Sequence, residues 1–161
     1  MEQESAVASE FQCVVFKIGK EEYGVPITQV KEINRLSTTT KVPKSPMFVE
    51  GIINLRGQII PIIDMKKRFD LTLSEYTGDA RIIVIQVANN SFGIEVDSVS
   101  EVLRISSSNV EPAPQIACGI DSDYITGVAK VADRLLILLD LDSLLSDEEK
   151  AQLQKMSRES A

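Results

Sequence analysis

The chain has 161 residues, 43% hydrophobic and 25% charged, with 17 Lys and Arg against 24 Asp and Glu, a net charge of −7. That mixture suits one globular domain or two small ones fused side by side. An acidic chain of this kind is a poor match for phosphate backbones or an anionic lipid surface. With no histidine at all, the usual general base, the Ser-His and Cys-His pairs and the commonest zinc ligand are excluded.

Residues 1–10 are polar and read as a frayed tail. They carry Glu2, Glu4 and Glu10 where a secretory signal would have a basic n-region. Phe11 to Ile18 is a β-branched and aromatic run, a strand that turns at Gly19 to Glu22 and returns as Tyr23 to Pro26. Ile27 to Ile33 reads as a turn of helix leading into a strand, and Lys41 to Pro46 as a proline-punctuated loop. Val49 to Leu55 and Gln58 to Ile63 form a hairpin around Arg56-Gly57, followed by a short helix at Met65 to Phe69. The polar stretch Thr72 to Ala80 is the expected junction between two halves.

Strands resume at Arg81 to Ala88, Ser91 to Val96 and Val99 to Ile105. Ser106 to Asp123 is loop-rich, and Tyr124 to Val131 and Leu135 to Leu139 are strands again. The apolar run Leu135 to Leu139 is far too short to span a bilayer. Leu141 to Met156 is helical by composition, with Ser146 and Glu149 spaced as a capping box. Cys13 and Cys118 make no disulfide framework and no CxxC pair, and read as small core hydrophobes.

The chain also repeats itself. Tyr23 to Ile33 aligns with Phe92 to Val102, with Gly24/Gly93, Val30/Val99 and Glu32/Glu101 identical. Further on, Gly51 pairs with Gly127, Ile62-Ile63 with Leu138-Leu139, and Asp64 with Asp140. Short strands with Gly and Pro turns, present twice, predict two small barrels. Each is marginal alone, so the pair is expected to share a core, with Tyr23 to Ile33 free to run from one unit to the other.

Phe48 to Asp64 (FVEGIINLRGQIIPIID) resembles the signature of the CheW family of bacterial chemotaxis coupling proteins. Tyr23 to Ile27, Val30 to Ile33, Gly127 to Lys130 and Leu139-Asp140 match the same family, so the resemblance covers residues 11–150 and leaves 151–161 as a helix end and tail. It implies a mainly β fold, two five-stranded Src-homology-3-type barrels around a shared core. The implied function has no catalysis, cofactor or metal. It is a cytoplasmic adaptor, recruited to the inner face of the membrane through receptor arrays, that joins methyl-accepting chemotaxis receptors to the regulatory domain of the histidine kinase CheA.

Arg56 is the sharpest candidate for a contact. Read from the residues alone it is a solvated turn cation; the resemblance places the matching Arg on the receptor-contact surface. Its five-donor fork suits a partner carboxylate or carbonyl. The same implied surface takes in Asn54, Leu55 and Gly57 of the hairpin and Val30 and Glu32 upstream. Alone, these residues read more plainly: Val30 as core, Glu32 as a solvated charge, Gly57 as a turn former, and Asn54 as a brace for the hairpin. Val99 and Glu101, at the repeated positions, favour that plainer reading for Val30 and Glu32. No kinase-contact residue is identified, because alternation does not say which side of each strand faces a core. Lys66-Lys67-Arg68 reads as a solvated helix face. Asp121-Ser122-Asp123 and Asp140-Leu141-Asp142 lack calcium-loop spacing and suit turns and caps. A barrel that binds nucleic acid or oligosaccharide is the competing class, but it commonly uses basic grooves and stacking aromatics; this chain has 5% aromatics and no Trp.

Overall fold

In the computed structural model, residues 9–69, 71, 76–87, 90–112 and 124–159 are described. The β-branched runs form strands: β1 (Glu10–Ile18), β2 (Glu21–Pro26), β3 (Val30–Arg35), β4 (Val49–Leu55), β5 (Gln58–Asp64), β6 (Arg81–Val87), β7 (Asn90–Val96), β8 (Ser98–Ser106), β9 (Val110–Glu111), β10 (Ile125–Val131) and β11 (Arg134–Leu139). Helix α1 is Met65–Arg68 and helix α2 is Asp147–Glu159. One sheet has the order β8-β1-β2-β11-β10-β9 and the other β3-β6-β7-β5-β4.

The sheets do not divide where the polar stretch suggested. Residues 76–80 connect two parts of the same sheet, and residues 72–75 lie outside the described set. The chain changes sheets instead at the 3-10 turn Ile27–Gln29, between β2 and β3, and at Asp97, between β7 and β8. Each hairpin, β1-β2 and β6-β7, therefore sends its following strand into the opposite sheet. A composition break marks a linker only where no strand pairing crosses it, and here the pairing partners lie far away in sequence.

The repeat is reproduced in register. Val15 faces Gly24 as Val84 faces Gly93. Gly24 lies beside Leu138 and Gly93 beside Ile62 across parallel pairs. Both β4-β5 and β10-β11 slip register ahead of a glycine, Gly51 in one and Gly127 in the other. Thr40 bridges Ile52 where β9 pairs with Val128, so a short closing segment adds to each five-stranded barrel. That closing segment is why one sheet has a sixth strand inside the stretch read as loop.

Alternation then sorts the side chains. In β6, Ile82 and Val84 fill their own barrel with Ile53, Ile60 and Ile62. Ile83, Ile85 and Val87 face a larger core shared with Val14, Phe16, Tyr23 and Ile137 of the other sheet. Cys13, Val15, Ile105, Ala129, Leu136 and Leu138 fill the second barrel. Both faces of the central strands are thus buried, which is why those strands read as continuous apolar runs. Burial raises the Cys13 thiol to about 11, as suits a core cysteine; Cys118 is outside the described residues.

The basic run is not a solvated face. Lys66 is 2% exposed and its Nζ lies 2.8 Å from Asp97. The Arg68 guanidinium stacks over Phe48 (4.4 Å) and Tyr124 (5.1 Å) and forks onto Glu149 at 3.0 and 2.9 Å. A four-residue helix laid between the sheets leaves little outward surface, so its cations are spent on internal partners. Asp64 caps that helix, accepting from Lys66 N and Lys67 N, and Asp140 caps the equivalent turn Leu141–Ser143.

The C-terminal helical stretch divides into that 3-10 turn and α2. Its capping box is complete: Ser146 Oγ accepts from Glu149 N at 3.1 Å, and Glu149 Oε1 accepts from Ser146 N at 2.8 Å. Ser146→Ala is expected to cost about 1 kcal/mol, a Tm lowered by about 3 °C in a melt followed by circular dichroism. An unchanged melt would mean the cap adds nothing to a helix already held by Arg68 and the buried Leu153.

Candidate functional site

The hairpin β4-β5 turns through Arg56 (φ 53) and Gly57 (φ 86), with Leu55 and Gln58 as its closing pair. Two consecutive left-handed residues make a type I′ turn, the form whose twist matches a hairpin. Gly57 fills its position without strain, whereas Arg56 occupies the other at a steric cost. Asn54 Oδ1 accepts from Gly57 N at 2.8 Å and braces the turn. Leu55 is half-buried against the barrel interior.

Strand β3 passes beside this tip. Its face alternates so that Val30, Glu32 and Asn34 are half-buried, while Lys31, Ile33 and Arg35 point out. Val30 packs against the shared core. Glu32 receives Arg56 Nη2 on Oε2 and Asn34 Nδ2 on Oε1, the latter at 3.1 Å. Partial burial pushes the Glu32 carboxyl up, but the hydrogen bonds from Asn34 and Arg56 and the charges of Arg56 and Lys31 outweigh it and hold the group below its usual range.

Five of the six expected contact residues thus lie at or beside one clasp: Glu32, Asn54, Leu55, Arg56 and Gly57. Val30 stands two residues from Glu32 and contributes mainly to packing. Asn34 joins the group, and only the period of two along β3 hints at it. Ile33 alternates with Glu32 along β3 and so turns to the opposite side of the strand. It is 39% exposed between half-buried polar neighbours, the reverse of what its hydropathy suggests, because a bulge between Val30 and Glu32 sets the phase of β3 against β6.

The second barrel repeats the arrangement with a difference. Val102, the counterpart of Ile33, is 48% exposed. Glu101 pairs at 2.9 Å with Arg134, from the tip of β10-β11, and Arg134 also forks onto Glu22 at 3.0 and 2.9 Å. Such a pair straps a hairpin tip to the strand that entered from the other half, so a structural role belongs to both copies. Arg134 is committed to two carboxylates. Arg56 is paired with one and remains 72% exposed, with donors still directed at solvent.

The CheW-like domain family model matches residues 12–149. The chain belongs to the CheW-like family. It is 37% identical over 152 residues to the chemotaxis protein CheW of Klebsiella aerogenes, covering 94% of this chain and 90% of that one. With CheW of Treponema pallidum the identity is 40% over 154 residues, covering 92% and 88%. The crystal structure of the scaffolding protein TtCheW from Thermoanaerobacter tengcongensis superposes with a TM-score of 0.81 at 39% identity, covering 88% of this chain and 92% of that one. Membership in this family makes the chain a chemotaxis scaffold protein. Among the described residues no helix is long and apolar enough to cross a membrane.

Proposed function

We propose that this CheW-like chain is a non-catalytic, cytoplasmic adaptor coupling chemoreceptor tips to the regulatory domain of the histidine kinase CheA. The observation that carries the receptor half is the exposed Arg56, strapped by one carboxylate. A guanidinium with unspent donors suits the flank of a helix carrying carboxylates. Val30, Glu32, Asn54, Leu55 and Gly57 support that surface by setting the position of the clasp.

Coupling requires that receptor states differ in contact free energy with the complex, since equal contacts transmit nothing. Single contacts of about 8 kcal/mol, micromolar in affinity, suffice when many are combined in an array. The test is an NMR titration of the labelled chain with a receptor hairpin tip and with the kinase regulatory domain, added separately. Two distinct perturbed patches, the receptor patch centred on Arg56, are expected. Overlapping patches that exclude simultaneous binding would count against a bridge.

A further inference from the structure

Asp64 at the end of β5 and Glu95 near the end of β7 face each other across the parallel pair. Glu50, at the β4 bulge, brings a third carboxylate; one oxygen from each of the three lies within 4.8 Å of the others. Asp64 and Glu95 are buried, Glu95 to 6% exposure. Three carboxylates this close, two of them buried and the third half-exposed, do not readily all ionise together.

The neighbours show where a proton goes. From α1, Lys67 Nζ lies 3.5 Å from Glu50, while Lys66 Nζ lies 2.8 Å from Asp97 and 4.3 Å from the centre of the Tyr76 ring. Asp64 Oδ1 accepts from Lys66 N (3.0 Å), Lys67 N (3.4 Å) and the Tyr76 hydroxyl (3.0 Å), so that oxygen is met by three donors. Burial raises the Tyr76 hydroxyl far above its usual range, assisted by Asp64, Glu95 and Asp97, so it stays a donor. Glu95 is raised to about 7, by burial first and then by Glu50 and Asp64, against a lowering by Lys67.

Two residues beyond Glu95, the chain crosses between sheets. Asp97 makes the crossing: its N donates to Lys17 O at 2.9 Å, and its Oδ2 accepts from Gly19 N at 2.7 Å. Lys66 thus ties α1, in one half, through Asp97 to the β1-β2 turn of the other half. We propose that the Glu50–Asp64–Glu95 cluster shares a proton held on Glu95, and that losing it loosens the crossover at Asp97, making the packing of the two barrels pH-responsive.

The direction follows from proton binding. Between the ordinary carboxylate value of 4.5 and about 7, folded Glu95 holds a proton that the unfolded chain has released. The stabilisation is complete below that window and is lost as pH rises through 7. The test is a series of melts of the full chain from pH 5 to 8.5, with amide exchange at 96–98 and carboxyl-carbon NMR, for the native chain and Glu95→Gln. The native Tm is expected to fall by about 5 °C or more across the series, while Glu95→Gln falls less and melts higher at pH 8. Exchange at 96–98, corrected for its intrinsic pH dependence, is expected to accelerate only in the native chain. A Glu95 carboxyl titrating near 4.5, or parallel pH slopes for the two proteins, would overturn the proposal. So would a rise in native Tm at pH 8 with millimolar Ca²⁺ or Mg²⁺ that Glu95→Gln lacks, since a cation rather than a proton would then balance the cluster.

Discussion

Arg56→Glu is expected to fold as the native chain does and to bind a receptor hairpin tip on the order of 100-fold more weakly. The fold survives because Arg56 is 72% exposed, and an ion pair so open to solvent adds little to stability. Binding suffers twice. The unspent donors of the fork are lost, and a carboxylate is placed beside Glu32, so the tip repels the acidic partner proposed for this surface. Arg56→Lys separates the two contributions, since it keeps the charge and removes the fork. Its affinity is expected to lie between that of the native chain and that of Arg56→Glu. Titration calorimetry with the receptor tip measures the loss, and the kinase regulatory domain is the control, with unchanged affinity expected. Equal receptor binding by all three proteins would remove Arg56 from the contact and leave the clasp as a strap for the hairpin alone.

Gly127→Val is expected to lower the Tm by about 10 °C, a loss of about 3 kcal/mol. A Cβ at this position would stand 2.9 Å from Glu111 O and 2.9 Å from Val110 Cγ1. Glu111 is a strand residue paired with Val128, so relief requires β9 to move away from β10 and open that edge of the barrel. Gly51→Val is expected to act alike, because a Cβ there would meet Thr40 O at 2.6 Å, in the bridge that closes the first barrel. Gly24→Ala is the contrasting case. Its nearest contact is Leu138 Cδ2 at 3.2 Å, the end of a side chain that can rotate, so a smaller loss is expected. Thermal melts of the three variants decide this. A Gly127→Val chain melting at the native temperature would show that β9 detaches without cost.

The clasp shows how far residue patterns reach. Asn54-Leu55-Arg56-Gly57 identifies its hairpin by itself, because a type I′ turn needs a residue such as glycine at φ above zero between two apolar strands. That Arg56 would meet Glu32 could not be read the same way. The two are 24 residues apart, and their meeting depends on β3 leaving the sheet of β2 and pairing with β6. Ile33 was hidden by the same step, since the phase of β3 is set by a bulge against a distant strand and not by its own alternation. Lys66 and Glu95 are ionisable side chains in buried positions, and composition assigns such residues to solvent unless their partners are known.

Neighbouring residues were enough for the local and the repeated features of this protein: hairpins and their turns, the capping box at Ser146, the paired glycines and aspartates of two similar units, and the absence of histidine chemistry. These follow from backbone sterics and near-neighbour hydrogen bonds, which a few adjacent residues specify. Three things waited on the folded arrangement: which strands pair across the two halves, which face of each strand fills its own barrel, and which charges are drawn inside. Strands buried on both faces carry no alternation to distinguish one core from the other, and an ion pair or a carboxylate cluster exists only once remote segments are brought together.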